Sequence, residues 1–297
     1  MKKAYFQLHL AVLLWGFTAI FGKLITLNAV FLVLYRMLLS TLALWIFLKF
    51  KNRLHSLNRK TVLKAMGIGV IVALHWITFY ASIKASNVSV AISCFSSLAL
   101  FTAVLDPLMN RQQLKLAEIV LGVAVIAGIF VIFSVQQLYW TGILLSIVSA
   151  FFAALFSVLN KKLYYEHDPG TISVYELGSG FLFLSLIFPF YLSSVQLPFL
   201  FPSLHDWGYL LILSVVCTSF AFTLGNYALQ KLDAFTCNLT VNLEPVYSII
   251  LAIIIFKENR LLNTGFYIGT LIILSSVVIH TIYKFRLLRK SLKQNAG

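Results

Sequence analysis

Glu244 is followed by Pro245 inside a long apolar stretch. A proline within a helix removes one backbone donor and frees the carbonyl four residues back, here that of Val241. Such a break survives in a membrane only where neighbours or water satisfy the freed group. A carboxylate beside it can bind a cationic group, or take up a proton once desolvated. Arg36, His75, Trp15 and the pair Ser96-Ser97 also lie within apolar stretches, and Asn242 precedes Glu244 by two residues. Intramembrane ionisable groups are costly and mark functional sites by default. One cation, one anion, one imidazole and an aromatic ring suit a zwitterion such as an amino acid, and equally an amphipathic cation held on Glu244. The candidate substrate-binding residues are therefore Trp15, Arg36, His75, Ser97, Asn242 and Glu244, with Glu244 the candidate for proton coupling. The bland alternatives are an Arg36–Glu244 ion pair, a packed His75 and Trp15, and interhelical hydrogen bonds from Asn226, Asn238 and Asn242.

These residues need elements to hold them, and composition sets the class. The chain has 297 residues, 60% hydrophobic and 11% charged, with mean hydropathy +0.93. Soluble domains carry about 25% charged residues. A water-soluble enzyme, a nucleic-acid binder and a disordered chain are excluded on that ground. Apolar runs long enough to cross a bilayer fall at about 5–22, 29–48, 65–83, 88–109, 117–134, 140–160, 172–194, 207–229, 235–256 and 264–283. The runs are too long, and lack the alternation, for strands. No loop is long enough for a soluble module. The first run follows Met1-Lys2-Lys3 and lacks a clear cleavage site, so it reads as a retained helix.

The formal charge of +14 sits between the runs. With the N-terminus in the cytoplasm, about eighteen Lys and Arg fall in cytoplasmic segments and about four outside, Arg36 being the one within a span. Both termini are thus expected in the cytoplasm of a multi-pass protein of the cell (inner or plasma) membrane. Cys94, Cys217 and Cys237 form no CxxC and read as inert buried thiols. The run Gly122–Gly128 reads as close helix packing. Asp106 is expected near Arg111 or Lys115, and Lys257, Glu258 and Arg260 as a solvated turn.

Helical rise gives depths. Glu244 and His75 lie near the midplane, roughly 15 Å in, and Arg36 roughly 10 Å from the outer end of its helix. Trp15 and Ser97 share that layer. Glu176 lies only about 6 Å from the inner face, which leaves it about 14 Å from Arg36 along the normal. Glu244 is therefore the expected partner of Arg36.

The halves repeat. Tyr80-Ala81 and Lys84 match Tyr227-Ala228 and Lys231, and Ser97, Arg111 and Gly122 then meet Glu244, Glu258 and Gly269. Leu34-Tyr35-Arg36 lies against Val174-Tyr175-Glu176. Five helices per half invert the second half, an architecture with its site at the midplane between repeats. The expected fold is an all-α integral membrane protein of ten helices in two inverted five-helix repeats, residues 1–137 and 138–297, the second ending in a basic tail.

Leu14-Trp15-Gly16, Tyr35–Leu39, Asn242-Leu243-Glu244-Pro245-Val246, Lys257–Leu261 and Gly265–Gly269 together resemble the EamA type of the drug/metabolite transporter superfamily over nearly the whole chain. The resemblance implies export or exchange of small metabolites; no cofactor is expected. It departs in the fourth span, where the family's usual proline is Leu98, with Asp106-Pro107 lower down; the departure bears on the bend of that helix. Secondary transport by alternating access, with a small molecule and a proton as candidate partners, no metal and no nucleic acid, is the leading expectation. The chain is expected to be a monomer or weak homodimer. A lipid-modifying enzyme needs a paired-carboxylate, Ser/His or metal cluster that the spacing does not offer. A non-transporting scaffold would lack a cavity between the repeats.

Overall fold

The computed structural model describes residues 2–114, 116–135, 139–195, 201–241 and 243–294. Among these there is no strand. The first half comprises α1 (Lys2–Trp15) with α2 (Thr18–Leu24), α3 (Ala29–Phe50), α4 (Arg59–Ala85), α5 (Val88–Phe95) with α6 (Leu98–Asn110), and α7 (Leu116–Val135). The second comprises α8 (Trp140–Glu166) and α9 (Pro169–Val195), then α10 (Leu204–Ser214), a π-helical turn (Val215–Phe220) and α11 (Ala221–Lys231) as one span. It closes with α12 (Ala234–Val241), α13 (Glu244–Phe256) and α14 (Thr264–Gln294). Eight of these ten spans are long and apolar enough to cross a membrane; α7 and α14 contribute the shorter apolar stretches Leu116–Ile132 and Thr264–Ser276. The protein is a multi-pass, ten-helix membrane protein built as two repeats.

Caps explain where helices begin. Asn28, Asn58 and Asn87 accept from the backbone N–H three residues on, and Ser203 with Asp206 makes a reciprocal capping box at α10. Asn58 starts α4 at Arg59, six residues before its apolar run, so that helix extends a polar end beyond the bilayer core.

Three spans are broken rather than continuous, and the breaks share one construction: i→i+3 bonds replace i→i+4 bonds for about a turn. In the first span Phe17 N donates to Leu14 O at 3.2 Å. In the fourth, Ser96 N and Ser97 N donate to Ser93 O and Cys94 O at 3.2 and 3.1 Å. In the ninth, Leu243 N and Val246 N donate to Thr240 O and Leu243 O at 3.0 and 3.1 Å. Only the ninth contains the proline that foretold it. The eighth span is loosened instead. Thr218 Oγ1 and Ser219 Oγ donate five residues back, to Leu213 O (2.7 Å) and Ser214 O (2.9 Å), across the π-turn.

α4 lies against α8 and α9, α3 against α9, α1 against α11, and α7 against α14. The last pair makes a close backbone approach. A Cβ on Gly128 would stand 2.7 Å from Gly269 O, and one on Gly269 2.5 Å from Gly128 O. The close packing expected of the Gly122–Gly128 run is thus made at Gly128. On the outside, large apolar side chains such as Phe130, Leu186 and Phe190 are exposed, as a lipid-facing surface requires.

Candidate functional site

The helix breaks converge on a central cavity with about 830 Å³ of atom-free space, counting the part continuous with the outside. Trp15, Arg36, His75 and Glu244 all line it. Ser97 does not: it is buried in the turn between α5 and α6, where its Oγ meets no partner, while Leu98 beside it reaches the cavity. Asn242 lies outside the described residues.

Arg36 is buried on α3, yet it makes no ion pair. Its Nε donates to Thr218 Oγ1 at 2.8 Å and Nη1 to the Tyr80 hydroxyl at 2.5 Å. The guanidinium carbon lies 3.8 Å from the centre of the Trp76 ring, a cation–π contact. The expected Arg36–Glu244 ion pair is not formed: among the described residues the ion pair within reach is Lys23–Glu258, at 2.7 Å. The guanidinium is engaged elsewhere: Thr218 on the π-turn takes Nε, Tyr80 takes Nη1 and the Trp76 ring covers its face. Two of five guanidinium donors are so committed, and every partner is neutral.

His75 on α4 is fixed through Nδ1, which lies 3.0 Å from Ser149 O and 2.8 Å from Ser149 Oγ on α8. With Nδ1 donating to the carbonyl, Nε2 is left as an acceptor. The ring stacks on Phe95 at 5.5 Å between centroids and meets Phe79 and Phe156 at 6.1 and 5.6 Å. These phenylalanines, with Trp76 and Phe222, give the cavity an aromatic wall. The sequence names Trp76 beside His75, but nothing in a chain with 26 Phe marks which ones face inward.

Glu244 opens α13, directly after the break that its proline predicts. The break in the first span is held against the same helix. Ser248 Oγ donates to Gly16 O at 2.8 Å, and a Cβ on Gly16 would stand 2.9 Å from Tyr247 Cβ. Trp15 is wedged on Gly225, where a Cβ would meet its ring at 2.5 Å. The Trp15-Gly16 pair therefore works as a unit: the glycine admits α13 and the indole reaches the cavity. Asn226 and Asn238 both line the cavity and bond across helices. Asn226 Nδ2 donates to Ser173 Oγ (2.9 Å), and Asn238 links Ser157 (3.0 Å) to Thr102 (2.8 Å).

The two ends of the bundle differ. Lining residues Leu8, Leu229 and Cys237 carry the cavity towards the end that holds the N-terminus and the α11–α12 connection. The opposite end is bolted. Glu258 is not in a solvated turn but fully buried, accepting from Lys23 Nζ (2.7 Å), Val88 N (3.2 Å), Ser89 N (2.9 Å) and Ser89 Oγ (2.7 Å). Asp206 accepts from Thr26 N and Thr26 Oγ1, both at 2.7 Å. Asp106 accepts from Asn110 at 2.6 Å, one turn on; Lys115, one of the two basic residues expected beside it, lies outside the described residues.

Known proteins resemble the chain in sequence and in fold. The sequence profile of the EamA-like transporter family matches residues 2–134 and again 140–282. An uncharacterised transporter of Archaeoglobus fulgidus is 29% identical over 291 residues, 94% of this chain and 98% of that protein. A biotin transporter of Escherichia coli is 27% identical over 292 residues, 92% of this chain and 91% of that one. A solved crystal structure superposes with TM-score 0.70 at 14% identity, over 97% of this chain and 99% of that chain, which is a likeness of fold.

Proposed function

Because the chain belongs to the EamA-like transporter family, we propose that it is a secondary transporter of small metabolites carrying a carboxylate. The repeats are read as residues 1–137 and 138–297, rocking to expose the central cavity alternately. Arg36 carries this reading. It is a buried guanidinium in a cavity wall, held by a hydroxyl, a phenol and an indole face, none of which cancels its charge. A carboxylate arriving in the cavity gives the guanidinium an anion in direct contact and can be met by the donors that remain. The aromatic wall takes an apolar or ring-bearing body, His75 offers an acceptor, and Glu244 receives a donor or ammonium end. Amino acids and related amphipathic acids fit, and the Escherichia coli relative is named for biotin, an acid with a ring.

The eighteen-to-four division of Lys and Arg supports the reading of both termini in the cytoplasm of an inner or plasma membrane. The cavity then reaches towards the cytoplasm while Glu258 and Asp206 hold the outer end shut, the inward state of an exporter or exchanger working as a monomer or weak homodimer.

Counterflow in proteoliposomes with labelled biotin, amino acids and amphipathic cations tests this. Acids should exchange and cations should not, and Arg36→Ala should remove the exchange. Exchange of cations alone, lost in Glu244→Gln and kept in Arg36→Ala, would replace the carboxylate by an ammonium as the recognised group.

A further inference from the structure

A second buried polar group lies behind the cavity wall, on α8 and α9. Glu176 has no exposed surface. Its Oε2 accepts from the Tyr164 hydroxyl at 3.2 Å, and its Oε1 has no hydrogen-bond partner. Asn160, one turn before Tyr164 on α8, is equally buried and turns its amide towards the Glu176 carboxyl, close to it but with neither amide atom in hydrogen-bond geometry. Every other element packed here brings a neutral group. α4 meets α9 through Gly69, α3 through Met37 and Thr41, and α11 through Asn226 on Ser173. Among the described residues no basic side chain comes within ion-pair reach of Glu176, and Tyr164 is the one titratable group facing it.

A charged carboxylate with this surrounding is uncompensated, and a buried uncompensated charge is strongly disfavoured. A proton removes the charge. It also repairs the hydrogen bonding, since an O–H on Oε1 is a donor for the unpaired Asn160 Oδ1. An alkali cation fits less well. α8 and α9 run unbroken through the site, so no unwound carbonyls are available to complete a coordination shell, which is how transporters hold sodium. The site also has a path to the cavity. Asn226 lines the cavity and donates to Ser173, which lies one turn before Glu176 and flanks the Tyr164 hydroxyl.

We propose that Glu176, with Asn160 and Tyr164, is a proton-binding site separate from the substrate cavity, and that it carries the coupling ion. The claim about coupling rests on the transport reading above; the claim about the proton does not. The step is a simple one: carboxylate plus proton gives carboxylic acid, one O–H bond forms on Oε1, and its loss to water through the Asn226 side restores the anion.

Infrared titration of the purified full-length protein in liposomes reads the proton directly, through the C=O stretch of protonated carboxyls. At neutral pH the band should contain a component that persists in Glu244→Gln and is removed by Glu176→Gln. A band that Glu176→Gln leaves unchanged, or whose Glu176 component vanishes when sodium replaces potassium at constant pH, overturns the proposal. If Glu176→Gln does not fold, Tyr164→Phe keeps the carboxyl and removes one bond to it; the midpoint of the titration should move, and an unmoved midpoint again overturns it. For coupling, labelled biotin or amino acid is accumulated under an imposed pH gradient. A gradient of about one pH unit should raise wild-type accumulation about ten-fold at one proton per substrate and leave Glu176→Gln without response; an undiminished response in that variant overturns the coupling role. A wild type that moves none of these compounds while Glu176→Gln still loses its component of the band would leave the proton site standing and remove the transport reading.

Discussion

The fourth and ninth spans are one backbone made twice. α5 and α12 have eight residues each, and α6 and α13 thirteen. Their bounds lie 146 residues apart throughout: Val88 and Ala234, Phe95 and Val241, Leu98 and Glu244, Asn110 and Phe256. Both spans even end on a non-glycine residue with positive φ, Arg111 at 53° and Lys257 at 56°. The chemistry is not repeated. At the start of its lower helix one span has Leu98 and the other Glu244. The capping differs as well. α12 is capped by its own Asp233, which accepts from Thr236 N (2.8 Å) and Thr236 Oγ1 (2.7 Å), whereas α5 has Asn87 and, in addition, Glu258 from the other repeat. The helix bounds also set the repeat at 146, one less than the register of the Tyr-Ala matches. Duplication has kept the broken shape and released the side chains, so the first half contributes the cation and the second the anion of one site.

The sharpest way to break that division of labour is to remove the cation. Arg36→Ala should lower exchange of an acidic substrate about a hundred-fold, and Arg36→Lys should not restore it, because a point charge cannot keep the Thr218, Tyr80 and Trp76 contacts together; initial rates in proteoliposomes decide. The unequal caps come next. Glu258→Ala removes a buried ion pair and an extra cap and should cost about 2–3 kcal/mol, while Asp233→Ala should cost about 1 kcal/mol. Thermal unfolding in detergent compares them, and equal losses would dissolve the distinction between the two spans. The smallest effect is expected at the breaks themselves. Leu98 stands at the first position of α6, where a proline is welcome. Leu98→Pro and Pro245→Ala should each change stability by less than about 1 kcal/mol. A larger loss in either would mean that the turn is made by the residue rather than by its setting.

That setting explains what the sequence could and could not reveal. Ten apolar runs, their order and their repetition follow from hydropathy and spacing alone, since nothing but helix satisfies the backbone in lipid. The ninth-span break was legible because Pro245 must interrupt a helix. The fourth-span break was not: Ser96 and Ser97 are compatible with helix, and the turn forms without proline. Trp15, Arg36, His75 and Glu244 stood out as polar or aromatic groups at midplane depth and line one cavity. Depth fixes only one coordinate, so it assigned Ser97 to the cavity and Glu244 to Arg36, and neither side chain goes there. Thr218 was missed because a π-turn has no composition of its own. Glu258 looked like a loop charge because its partners, Lys23 and Ser89, are far away in the chain.

That distance has a bearing on biogenesis. Lys23 and Glu258 are separated by 235 positions. At roughly 5–20 residues per second of synthesis, Lys23 leaves the ribosome roughly ten to fifty seconds before the carboxylate that holds it exists. Until then the second helical piece of the first span has a lysine without its anion, and α5 lacks its extra cap. That end of the bundle therefore lacks this buried anchor on a half-made chain, and gains it only when the residues just before α14 are made.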